Sequence, residues 1–176
     1  MRKSVVDVPQ CLRAAPVRSF IAPDGVTAVS APSKTDIVKI LDEADDMTIA
    51  TVREDVYPQA TTVSFVNDGL NIYFGAGGKS QKAQNIARCN KVSITVNLPY
   101  KSWDQIKGVS LAGIARRITD ANEMARVGQL MFAKFPQVAK YAPPDPQGMA
   151  LYCVSPKVVS VLDYTQGFGH TDLVNV

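Results

Sequence analysis

The spacing of hydrophobic positions changes several times along the chain, and each change marks an element. Ile37, Ile40, Leu41 and Ala44 recur at helical spacing behind Ser33 or Thr35 as a cap, which predicts a first helix. Residues 47–53, MTIATVR, read as a strand, and Glu54-Asp55 as a turn. Residues 58–66 predict a second strand, with Val63 and Phe65 on one face and Thr62 and Ser64 on the other. Asn67-Asp68-Gly69 predicts a hairpin, because Asp-Gly tolerates the positive φ of a tight turn. Residues 70–74 return as a third strand, and a glycine bend follows. Residues 80–89 predict a short helix with Ala83, Ile86 and Ala87 inward. Val92, Ile94 and Val96 alternate with Ser93, Thr95 and Asn97, the pattern of a half-buried strand. A longer strand is expected near residues 109–118, where Gly113 marks a bend or a close backbone approach. Asp120 and Glu123 resemble a capping box opening a helix that runs to about Lys134. Pro143-Pro144-Asp145-Pro146 is a loop, and residues 150–154 and 158–162 read as two closing strands.

Six or seven mostly antiparallel strands with helices between them predict a mainly β, α+β architecture. Short hairpins dominate, which favours a β-barrel with peripheral helices over a parallel sheet. Residues 1–32 are rich in Pro, Ala and Ser without a sustained period. They read as an N-terminal arm over the surface or a partner subunit, leaving 33–176 as the domain.

Composition narrows the chemistry. A length of 176 residues suits one domain with a proper core. A net charge of +3 is too small to argue for nucleic acid and compatible with an anionic cofactor. Met1-Arg2-Lys3 is basic, but Asp7, Pro9, Arg13 and Arg18 interrupt any apolar run, and no segment approaches transmembrane length. The expected location is cytoplasmic, with neither membrane nor nucleic acid as partner. Cys11, Cys89 and Cys153 form no zinc or disulfide pattern, and the last two read as small buried apolar residues. Asp42, Glu43, Asp45 and Asp46 read as a solvated helix end, since adjacent side chains cannot converge on one ion. His170 is the single histidine, so a His-rich metal centre within one chain is excluded and no metal site is expected.

The chemistry-bearing stretch is Tyr73-Phe74-Gly75-Ala76-Gly77-Gly78-Lys79-Ser80-Gln81-Lys82. A strand end, a glycine-rich bend, a hydroxyl and two lysines at a helix N-terminus make an anion site, which reads as a phosphate loop. Gly78-Lys79-Ser80 superficially ends a Walker A motif, but the first glycine of that motif would fall at Tyr73, and hairpins surround it rather than βαβ units. A plain glycine-rich turn with solvated lysines is the bland alternative.

The ordered neighbours of this stretch resemble the FMN-binding split-barrel family related to pyridoxamine 5′-phosphate oxidase. Pro58, Thr61-Thr62, Asp68-Gly69, Tyr73-Phe74, Ser80 and Lys82, Asn85, Trp103 and Gly113 occur in the order that family shows, over about residues 37–120. The resemblance implies a split barrel. It also implies an FMN-dependent oxidoreductase acting on a small molecule, in a homodimer with cofactor sites at the interface. Ser80 and Lys82 match the phosphate positions, with Lys79 and Gln81 beside them. Phe74, Gly75 and Ala76 match the turn lining the cofactor. Gln59, Ala60, Thr61, Thr62, Val63 and Ser64 match the strand along the isoalloxazine ring. Trp103, Gln105 and Lys107 are expected to serve the partner's cofactor. No catalytic residue is assigned.

Departures limit the substrate. The family's Arg-x-Val-Leu-Leu-Lys-like strand is here Ala60-Thr61-Thr62-Val63-Ser64-Phe65, and Lys107-Gly108 stands where Arg-Gln is usual. Vitamin B6 oxidation is therefore not the expected activity. A deazaflavin (F420) reductase and a non-catalytic flavin or haem binder remain alternatives. His170 could be a capping or surface histidine, a proton donor beside the ring, or an axial haem ligand. Trp103 and Tyr100 could stack on a cofactor or pack at a dimer contact. Arg116 and Arg117 point to opposite faces of their strand; solvated edge charges are the first reading, and pairing of one with an acid or a phosphate the second.

Overall fold

A computed structural model describes residues 32–141 and 148–176. The expected arm and the Pro143–Pro146 loop lie outside the described residues, as does Cys11.

Helix α1 (Lys34–Glu43) begins at Ser33, whose side chain accepts from Asp36 N while the Asp36 carboxylate accepts from Ser33 N. All four residues expected inward, Ile37, Ile40, Leu41 and Ala44, are buried. Strands β1 (Asp46–Val52) and β2 (Pro58–Ser64) form an antiparallel pair. The run expected as one strand through Val66 breaks at Phe65. A separate short strand β3 (Val66–Asp68) then pairs with β4 (Asn71–Gly77). The break lets the chain leave β1 and join the other end of the sheet. Asp68 pairs with Asn71, and Gly69 takes φ 57°, as the Asp-Gly signal required.

Helix α2 is Gln81–Arg88 and β5 is Lys91–Asn97. Strand β6 (Lys107–Arg117) leads to α3 (Ala121–Lys134) and the short α4 (Val138–Tyr141). The two closing strands expected at the end are one strand, β7 (Met149–Asp163). Pro156 does not end it, because the β6–β7 register shifts at Ala112/Gly113 and sets Pro156 opposite Gly113. Proline, which lacks an N–H, is tolerated at such a bulge. A Cβ on Gly113 would lie 2.7 Å from Val154 Cγ1, so the close approach expected there is present. Residues 171–175, for which no element was expected, form strand β8 (Thr171–Asn175) along β7. Its apolar signal is only Leu173 and Val174, too short to register as a strand.

The sheet order is β2-β1-β5-β6-β7-β4-β3, with β8 also on β7. Long β7 holds β4 on its first half and β8 on its second. Strand β2, at one end of the order, comes back beside β4, so the sheet curls into a split barrel with peripheral helices. Inward side chains including Ile49, Ile94, Val96, Phe74, Leu111 and Val159 fill it. Each such large apolar side chain contributes about 1.5–3 kcal/mol on burial. A second cluster, Val66, Tyr73, Ile118, Val127 and Cys153, lies under α3. Cys153 is buried as expected, whereas Cys89 is half-buried. Among the described residues no helix is long and apolar enough to cross a membrane.

Candidate functional site

The glycine stretch is largely strand. Gly75, Ala76 and Gly77 pair with Leu151, Ala150 and Met149 of β7, so the bend begins at Gly78 rather than Gly75. Its backbone is also less open than the sequence implied. Gly78 N donates to Gly148 O at 2.8 Å, and Ser80 N donates to Gly77 O at 2.9 Å. The N–H groups of Gln81 and Lys82, in the first turn of α2, have no intrahelical acceptor. Ser80 is the N-cap, and its Oγ accepts from Ala83 N at 3.3 Å. That bond uses a lone pair and leaves the hydroxyl proton able to donate.

Lys82 is half-buried, and its Nζ lies 5.9 Å from the centroid of the Phe74 ring. Phe74 in turn stacks on Tyr152, with ring centroids 5.2 Å apart. Burial holds the Lys82 ammonium below the ordinary lysine pKa. A cation short of water is primed to accept an anion, because the anion replaces lost solvation. Lys79 and Gln81 are exposed at the same helix end.

Beneath the first turn of α2 lies a buried amide. Asn85, not the expected Ala87, faces inward, while Ala87 is exposed. Asn85 Nδ2 donates to Thr51 Oγ1 and to Gln59 Oε1, each at 3.0 Å, and Oδ1 accepts from Gln81 Nε2 at 3.0 Å. These bonds tie β1, β2 and α2 into one polar cluster.

Among the described residues, strand β2 ends the sheet order and pairs with β1 only, so its other edge has backbone donors and acceptors that no described strand takes up. Gln59, Thr61 and Val63 are half-buried toward the barrel, while Ala60, Thr62 and Ser64 are exposed on the opposite face. The six residues therefore divide between two faces. Gly75 also differs from its neighbours. Phe74 and Ala76 are core residues. A Cβ on Gly75 would lie 3.2 Å from Met149 Cε, facing a mostly apolar cavity of about 920 Å³ between α3 and the sheet.

Trp103, Gln105 and Lys107 form a second group. Trp103 and Gln105 are exposed in a short 3-10 turn. The Trp103 ring lies 5.9 Å from Phe168, which meets Tyr164 edge-on at 5.3 Å. Lys107 Nζ lies 3.1 Å from an Asp163 carboxylate oxygen. His170 Nε2 lies 2.8 Å from Asp172 Oδ2, with the side chain 29% exposed. Arg116 is the arginine that finds an acid. It makes a bidentate pair with Glu123 at 2.8 and 2.6 Å, so Glu123 does not close the expected capping box. Asp120 still caps α3 through Glu123 N at 2.8 Å.

A sequence profile described as pyridoxamine 5′-phosphate oxidase matches residues 33–163, well over half of the chain. The chain belongs to the pyridoxamine 5′-phosphate oxidase family. No curated protein matches its sequence. Among solved structures, this family member resembles a haem-binding protein from Mycobacterium smegmatis, with 20% identity and a TM-score of 0.70 over 84% of this chain. It spans only 60% of that mycobacterial chain. It also resembles HutZ, the haem storage protein of Vibrio cholerae, with 18% identity and a TM-score of 0.59 over 69% of this chain and 88% of the other. An F420 reductase shows 23% identity and a TM-score of 0.57 over 69% and 93% of the two chains. At these identities the likeness establishes the fold.

In this pyridoxamine 5′-phosphate oxidase family member α2 thus carries two sets of contacts: Gln81 and Asn85 are hydrogen-bonded with Gln59 and Thr51, and Lys82, two residues after the Ser80 cap, meets Phe74. Trp103, Gln105 and Lys107 belong to the second group. Sequence reasoning had missed Thr51 as a site residue and had left Asn85 without a role. An amide between Ala83 and Ile86 on a short helix was the available signal, since a polar group there must be hydrogen-bonded.

Proposed function

We propose that this chain binds FMN at the α2 end of the cluster and serves as a flavin-dependent oxidoreductase in a homodimer. The observation that carries this reading is the desolvated Lys82 ammonium over Phe74, next to the Ser80 hydroxyl and the free first-turn N–H groups of α2. That donor set fits a phosphate monoester, whose oxygens take charge-assisted hydrogen bonds. The open edge of β2 offers backbone groups to the polar rim of a planar ring. A bound flavin would supply the redox chemistry, and the protein would orient it and shield it from water.

Two adjacent charge-free rows on the outer sheet face support the homodimer. One row across six strands reads Ala60, Ala50, Ser93, Ala112, Val158, Asn175. The next reads Thr62, Thr48, Thr95, Ser110, Ser160, Leu173. None of these positions is charged, although 20% of the chain is. The face spans roughly 24 Å at about 4.8 Å per strand. Small side chains without charge let a second sheet approach closely. In such a dimer the exposed Trp103 turn would reach the partner's cofactor.

F420 shares the phosphate and ring logic of FMN, and the same residues would serve it. Haem has a different anchor, the half-buried His170 held by Asp172 beside Phe168. The absorption spectrum of the purified protein after incubation with each cofactor tests these readings. A flavin spectrum on the protein that bleaches with NADH or NADPH supports the proposal. A Soret band without flavin uptake would replace it with the haem reading.

A further inference from the structure

Asn85 is 1% exposed, and its amide has one satisfied orientation. Both Nδ2 hydrogens have acceptors, Thr51 Oγ1 and Gln59 Oε1, and Oδ1 has a donor, Gln81 Nε2. Reversing the amide would set Oδ1 against Thr51 and Gln59 and leave a single acceptor, on Gln81, for two hydrogens. One buried N–H would then be orphaned, and the desolvation penalty of that group selects the orientation observed. The consequence passes to Gln59. Its Oε1 is turned toward Asn85, and the opposite end of the amide, Nε2, is a pure donor.

We infer that Asn85 is a positioning residue that fixes the Gln59 amide as a hydrogen-bond donor to the ligand's phosphate oxygens. The Gln59 amide meets α2 at Asn85, and Asn85 in turn is bonded by Gln81, the residue that follows the Ser80 cap one turn earlier. Gln59 thereby joins Ser80 and Lys82 in an all-donor set, which accepts a phosphate and rejects a group that must itself donate. Thr51, 2% exposed, completes the clamp from β1. This inference rests on the FMN reading for the identity of the ligand, but the amide orientation is a property of the protein alone.

The test measures dissociation constants of FMN and riboflavin, which differ only in the phosphate, for the wild type, Gln59→Met, Asn85→Leu and the double variant. Each single variant is expected to weaken FMN about tenfold or more, as for loss of one hydrogen bond to a charged group, and riboflavin less than about twofold. The double variant should be no weaker than either single one, since both remove the same donor. Equal losses for both flavins, or additive losses, would overturn the assignment. Should Asn85→Leu fail to fold, Gln59→Met still separates the two ligands. A second measurement needs no ligand: side-chain amide exchange by NMR. The Asn85 Nδ2 hydrogens should be protected and those of Gln59 Nε2 exchange fast, and the reverse pattern would refute the clamp. If the wild type binds neither flavin, the FMN reading fails while the exchange result still decides the orientation.

Discussion

Among the described residues, the buried hydroxyl of Thr61 has no hydrogen-bond partner. It sits on the barrel-facing side of β2, opposite Ile49 of β1, which is 0% exposed. Thr61→Val keeps the β-branch and replaces the orphaned oxygen with a methyl group. An unsatisfied buried donor costs about 1–3 kcal/mol, and valine is at least as good a strand residue. Taking the low end, because Thr61 is half-buried overall, the substitution should stabilise the apo protein by about 1 kcal/mol. At this chain length that is a rise in Tm of about 2–4 °C. Urea unfolding of the apo protein should show a higher midpoint with an unchanged m-value. A neutral or destabilising result would mean that the hydroxyl is paired in solution and that this part of the β2 inner face is wrongly described.

Three further outcomes follow from the packing. Gly113→Ala should destabilise by about 1–3 kcal/mol in urea unfolding, because the new Cβ meets Val154 Cγ1 at 2.7 Å and Ser155 O at 3.0 Å. Val56 takes φ 62° in the β1–β2 turn, a strained region for a β-branched residue, and it is 48% exposed. Val56→Asn should therefore raise stability by about 1 kcal/mol in the same assay. The Arg116 hydrogen bonds hold the Glu123 carboxyl below its usual range. A carboxylate depressed in the folded state contributes stability above its unfolded pKa and loses it as pH falls through the folded one. The unfolding free-energy gap between wild type and Arg116→Met, read from urea unfolding across pH, should thus be present at neutral pH, amount to less than about 1 kcal/mol, and close in acid.

Local pattern carried most of the barrel. The four apolar residues of α1, the Asp68-Gly69 turn and the alternation of β5 each depend on near neighbours, and each formed as read. Elements set by distant partners were harder to see. Residues 150–154 and 158–162 join into β7 because a bulge opposite Gly113 accommodates Pro156, a fact that belongs to β6. Strand β8 exists because β7 offers it an edge. In the candidate site, Ser80 and Lys82 announced themselves by type and spacing. The use of Gly78 N by Gly148 was invisible, since it joins segments 70 residues apart in sequence. Asn85 gave a visible anomaly on a short helix, but its partners on β1 and β2 could come only from the fold.

The most direct test of the phosphate site is fluorescence titration of FMN into the full chain, compared with Ser80→Asp/Lys82→Met. Aspartate is as good an N-cap as serine, so α2 should persist, which circular dichroism can verify. The variant replaces two donors with a repelling charge and an apolar stem. Each charge-assisted hydrogen bond contributes about 1.5–3 kcal/mol, so the account predicts at least about a hundredfold weaker FMN binding. Equal affinity in the folded variant, or no uptake of FMN by the wild type, would contradict it.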